Sequence, residues 1–166
     1  MRSLIAIVAL VIFTVAADAV VANLAPEFTF LGPSEKAQSL RSLRGQAVVL
    51  VIADSAKNKA LRQQLKNLEG IYQALASKQV VLVAAIGSGE GPVPSNIPVA
   101  LANNGAAVAA AYGVSKGFQI AIIGRDGNLD CQAGHVLPAD RVRDVIQNSF
   151  EIQNSARKIP GGESKQ

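Results

Sequence analysis

The chain has 166 residues, 49% of them hydrophobic and 17% charged, which is enough apolar length for one domain with its own core. A net charge of +4, without a dense Lys/Arg block or interleaved aromatics, argues against nucleic-acid binding. The single cysteine excludes an intramolecular disulfide, and with no Trp the interior must be built mainly from Val, Ile, Leu and Ala.

Arg2 precedes an apolar run at 4–16 (LIAIVALVIFTVA), shorter than the ~20 residues a membrane-spanning helix needs. Small residues follow, so the segment reads as a secretory leader removed after Ala19 or Ala22. This divides the chain into a leader at 1–22, a domain at 23–158 and a flexible tail at 159–166. No cysteine follows the leader to carry a lipid, so no stable membrane anchor is expected after cleavage. The expected location is periplasmic or extracellular. The alternation at 25–31 (APEFTFL) predicts a short edge strand, broken by Gly32, Pro33 and Ser34. Residues 39–45 (SLRSLRG) predict one helical turn closed by glycine. The unbroken apolar run at 48–52 predicts a central strand covered on both faces.

Next comes a polar turn, then Leu61, Leu65, Leu68, Tyr72 and Leu75 at alternating spacings of four and three. That stripe predicts one helix, with Asp54 or Ser55 as its cap. Residues 80–86 (VVLVAAI) predict a second buried strand. The Gly/Pro-rich stretch at 87–98 is a loop, and it completes no dinucleotide-binding glycine pattern. Asn103 or Asn104 should cap a small helix at 106–112. A strand at 120–123 and the Asp126-Gly127 turn predict a hairpin whose second strand runs over 129–136. Pro138 opens a last helix with Val142, Val145, Ile146 and Ser149 facing inward. Strands joined by helices, then a hairpin and a terminal helix, imply an α/β fold: a mixed central sheet with helices on both faces.

Four segments carry a resemblance: APEFTF at 25–30, SLRSLRGQAVVL at 39–50, IPVAL at 97–101, and AAYGV at 110–114 through IGRDG at 123–127. In this order and spacing the sequence resembles the thioredoxin-like superfamily. It is most similar to the redoxin branch of alkyl hydroperoxide reductases, thiol-specific antioxidants and exported thiol-disulfide interchange proteins. The polar turn and helix are also similar to exported thioredoxin-like proteins that lack the redox pair. The resemblance implies a thioredoxin-like fold but not the family's chemistry. Its C-x-x-C positions fall on Asn58 and Leu61, and its aromatic and Trp positions on Ala53, Asp54 and Lys57. The peroxidase-type threonine and cysteine would fall near the same Asn58 and Leu61. The proline that faces the redox site in the family falls at Phe118, after Gly117. Disulfide exchange needs a thiolate at the helix N-terminus, and an amide and a leucine supply none.

The candidate binding positions are therefore those of a degenerate redox site: Asp54, Ser55, Lys57, Asn58, Lys59, Leu61, Arg62, Gly117 and Phe118. A helix N-terminus flanked by Lys57, Lys59 and Arg62 suits a small anionic ligand or an exported protein partner. The alternative is a one-cysteine peroxidase or oxidoreductase acting through Cys131. Alternation puts that thiol on the same strand face as Leu129 and Ala133, where a free cysteine is ordinarily a small packed hydrophobe. His135 stands alone, and no Asp or Glu cluster has ligand spacing, so no metal and no cofactor is expected.

Overall fold

The computed structural model describes residues 23–32, 35–88 and 93–157. The expected leader (1–22) and tail (159–166) lie outside them, as do Pro33, Ser34 and residues 89–92. Seven strands form one sheet: β1 (Thr29–Leu31), β2 (Ala37–Ser39), β3 (Val48–Ala53), β4 (Val81–Ile86), β5 (Ala100–Ala102), β6 (Phe118–Ile123) and β7 (Leu129–Ala133). Their order across the sheet is β2-β1-β5-β4-β3-β6-β7. β4 is parallel to β3 and to β5, and every other pairing is antiparallel. The four α-helices are α1 (Lys59–Glu69), α2 (Tyr72–Ser77), α3 (Gly105–Ala111) and α4 (Ala139–Arg157).

β3 shows why helices cover both faces. All six of its residues are buried, with Val49, Val51 and Ala53 in one core layer and Val48, Leu50 and Ile52 in the other. The first layer takes Leu61, Leu65 and Leu68 of α1, Leu75 of α2, and Val142 and Ile146 of α4. The second takes Val108 and Ala109 of α3, Leu40 and Leu43 of a 3-10 turn at Leu40–Leu43, and the rings of Phe28, Phe30 and Tyr112. An unbroken apolar strand has no face to give to water, so a layer forms on each side.

Several local expectations are corrected. β1 is shorter than the predicted strand and is not an edge, because β2 pairs along it from Thr29↔Ser39 to Leu31↔Ala37. β2 has no apolar alternation to reveal it, and β5, three small or aliphatic residues just after Pro98, was hidden in the same way. The single predicted helix is two: α1 ends at Gly70, and α2 restarts at Tyr72. A stripe spaced by threes and fours survives this break because one extra 3-10-type bond, from Ile71 N–H to Leu68 O, keeps the phase. The cap of α1 is Asn58, not Asp54 or Ser55, and its side-chain oxygen accepts from Ala60 N (2.9 Å) and Leu61 N (3.2 Å). Asn104 caps α3, which begins at Gly105.

The hairpin forms at Asp126-Gly127, but β7 ends at Ala133 instead of continuing to Val136. A bulge also intervenes: Ile122 pairs with Cys131 while Ile123 pairs with Leu129, leaving Asp130 as an extra residue. Leu129 therefore packs on the second core layer, while Cys131 and Ala133 pack on the first. The predicted shared face of Cys131 and Leu129 does not exist, since one inserted residue reverses the alternation.

Candidate functional site

At the carboxyl end of β3 the chain leaves the core at Ala53 and becomes exposed at Asp54. The antiparallel pairing of Ala53 with Phe118 sets Gly117 directly opposite Asp54. Asp54 N–H donates to Gly117 O (2.9 Å), and Gly117 N–H donates to Asp54 Oδ2 (3.0 Å). Asn58 Nδ2 donates to Asp54 Oδ1 (2.9 Å) and to Gly117 O (3.4 Å). The hydrogen bonds from Asn58 and Gly117 hold the Asp54 carboxyl below the usual carboxylate range. Gly117 sits at φ +84°, a conformation that other residues adopt only with strain.

The rest of the turn is tied down locally. Ser55 Oγ accepts from Lys57 N–H (3.1 Å), and Ser55 O accepts from Asn58 N–H (3.0 Å). Arg62 folds back so that its guanidinium donates to Lys57 O (2.8 Å), while the Lys57 and Lys59 side chains are exposed. The donors at the start of α1 are thus largely satisfied by the protein: Ala60 and Leu61 by Asn58, and Lys57 by Ser55. A small cavity of 290 Å³ lies beside the turn, between Asp54, Gly87, Ala106 and Ser115.

Of the nine predicted positions, Asp54, Asn58 and Gly117 form one hydrogen-bonded unit. Ser55, Lys57, Lys59 and Arg62 surround it. Leu61 and Phe118 are buried in the first core layer and serve packing. Cys131 lies elsewhere, half-buried on β7 beside Ile122. Two strand spacings and five residues of rise separate it from the turn, about 20 Å. His135 is exposed in the bend after β7. Among the described residues, no group of three or more His, Cys, Asp or Glu side chains could hold a metal ion.

Sequence reasoning missed Gln64. It is fully buried in α1, where its amide accepts from Leu137 N–H (2.7 Å) and donates to Leu137 O (3.2 Å). A glutamine one position before Leu65 in the apolar stripe was the available signal.

No protein-family model and no curated protein matches the sequence. Solved structures do match in three dimensions. A proposed thiol:disulfide interchange protein DsbE from Chlorobium tepidum superposes with a TM-score of 0.63 at 20% identity, covering 78% of this chain and 96% of that one. The fold is thioredoxin-like. The pneumococcal exposed lipoprotein thioredoxin Etrx1 from Streptococcus pneumoniae matches with a TM-score of 0.54 at 20% identity, over 76% of this chain and 99% of its own. Thioredoxin peroxidase I of Plasmodium yoelii matches with a TM-score of 0.58 at 12% identity, over 86% and 96%. A chain with this thioredoxin-like fold and a single cysteine cannot form an internal C-x-x-C disulfide.

Proposed function

We propose that this chain is an exported, redox-silent thioredoxin-fold binding protein. Its contact surface is the 54–58 turn with the facing Gly117 loop, and it takes an exported protein partner or a small anionic ligand. One observation carries the reading: the Asn58 amide, at the position where the fold's redox members keep a nucleophile, is committed to Asp54, to Gly117 and to the helix cap. A side chain with every polar atom used in structure has no role left in group transfer. The exposed lysines Lys57 and Lys59 remain for recognition, and any anion would meet their charges more than the capped N–H groups. The apolar leader supports export, as does the exposed location printed in the name of the pneumococcal protein of the same fold.

The test is the chemistry of the one thiol. Native and denatured protein would be titrated with a disulfide reagent across pH, with intact mass measured after mild peroxide. Native Cys131 is expected to react no faster than a free cysteine and to gain no oxygen, while unfolding releases it. Rapid native reaction at neutral pH with a sulfenic acid product would overturn the reading and move the active centre to β7. In a second arm, ¹⁵N-labelled protein is titrated with inorganic phosphate and with an acidic peptide. Shifts confined to residues away from the turn would remove the turn as the contact surface.

A further inference from the structure

A second cavity lies at the other end of the sheet, and its origin is a mismatch of strand lengths. β5 has three residues and meets β4 only at Val83 and Ala84, so Val81 and Leu82 extend past it with no neighbour on that side. β1 in turn pairs with β5 at only two positions, Phe30 and Leu31. The sheet is therefore notched between β4 and β1. The 3-10 turn borders the notch on one face of the sheet and Tyr72 of α2 on the other, and Pro98 and Val99 also line it. The notch is open to solvent and has a volume of 840 Å³, within the ~300–1,000 Å³ of sites that take small organic ligands.

The lining has a distinct chemistry. Its walls are aliphatic and aromatic, from Phe30, Leu43, Tyr72, Leu82 and Leu101. Leu31, on its rim, is 48% exposed, unusually so for a large aliphatic residue in this chain. None of the described lining residues is charged. Its polar groups are neutral: the Gln38 and Gln46 amides, the Ser42 hydroxyl and the Tyr72 hydroxyl. Ser42 Oγ donates to Ser39 O (2.6 Å), and the side chains of Gln38, Gln46 and Tyr72 are only half-buried, within reach of solvent. Neutral donors and acceptors open to solvent beside an apolar wall suit a guest that offers both.

We propose that this notch binds a neutral amphipathic small molecule, with an apolar body against Leu31, Val99 and Leu101 and an uncharged hydroxyl or amide head at Gln38 and Gln46. A carboxylate or phosphate head seated at Gln38 and Gln46 would give up part of its water with no cation among the described lining residues to meet it, an unfavourable exchange. The site is distinct from the 54–58 turn, at the opposite end of the strands, so its fate is independent of the binding reading given to that turn.

The test uses the mature protein and the neutral fluorescent dye N-phenyl-naphthylamine. The dye should bind saturably in the micromolar range. Dodecanol should displace it, with dodecanoate at pH 8 weaker by about tenfold or more. Gln46→Trp, which fills the notch, should weaken dye binding by about tenfold with the circular dichroism unchanged. Ser42→Trp does the same from the rim and replaces it if Gln46→Trp fails to fold. Absence of dye binding, equal displacement by dodecanoate, or full binding in both folded Trp variants would each overturn the proposal. So would a dimer that the Trp variants convert to monomer, which would assign the notch to a second copy of the chain.

Discussion

At the scale of single residues, the turn after β3 shows how a polar sequence can be read for its atoms but not for its partners. Asp54 and Ser55 look like caps, and neither is one. The structure divides the work: Asn58 takes the helix N–H groups, and Asp54 reaches across to Gly117. The reason is distance along the chain, because Asn58 immediately precedes α1 while Asp54 still lies in register with β6. Because the folded Asp54 carboxyl titrates below its unfolded value, its contribution to stability is complete above the unfolded value and is lost as pH falls through the folded one. Asp54→Ala should therefore destabilise the protein at pH 7, by on the order of 1 kcal/mol since the group is exposed and screened. The gap to the wild type should close below about pH 4. Denaturant melts at the two pH values check this, and an unchanged gap would mean that the carboxylate bonds contribute nothing.

At the scale of elements, two close approaches decide where helices sit. A Cβ on Gly105 would lie 2.1 Å from Ile86 O, so the first turn of α3 touches the end of β4 only because residue 105 is glycine. Gly105→Ala should push α3 off the sheet and cost several kcal/mol, in spite of alanine's better helix propensity. A variant as stable as the wild type in thermal melts would show that the contact relaxes freely. The Gln64 clasp is the second case, tying α1 to the segment before α4. Gln64→Leu keeps the volume but leaves the Leu137 N–H without its acceptor, while Leu137 O keeps its bond from Asn67 Nδ2 (3.1 Å), and should cost roughly 1–3 kcal/mol. Hydrogen exchange at the Leu137 amide should quicken while the remote β1–β2 pairing is unaffected. Neither contact was legible beforehand: a glycine opening a helix and a glutamine inside a leucine stripe show their purpose only when the opposing backbone is in place.

At the scale of the whole molecule, a chain with one cysteine has no internal disulfide and must hold itself together by packing, and two apolar layers around β3 do that. If the leader reading is correct, protein recovered outside the cytoplasm will start at Val20 or Asn23, which intact mass decides. Recovery of the full-length chain in the membrane fraction would refute it.

The sequence by itself determined the fold class, the central strands, the hairpin turn and the absence of a redox pair. Long apolar runs, strong turn dipeptides and the identity of Asn58 and Leu61 are local facts, independent of what they pack against. Only the tertiary structure decided the three-residue strands β2 and β5, the break between α1 and α2, and the bulge at Asp130 that turns Leu129 away from Cys131. Short strands carry too few residues for a period to show, and their hydrogen-bond partners lie tens of residues away. At the site the division is finer: the family resemblance put Asp54 and Gly117, 63 residues apart, at one place, but the hydrogen bonds that join them were not legible in either neighbourhood. Their meeting is a consequence of β6 lying antiparallel beside β3, a property of the sheet as a whole.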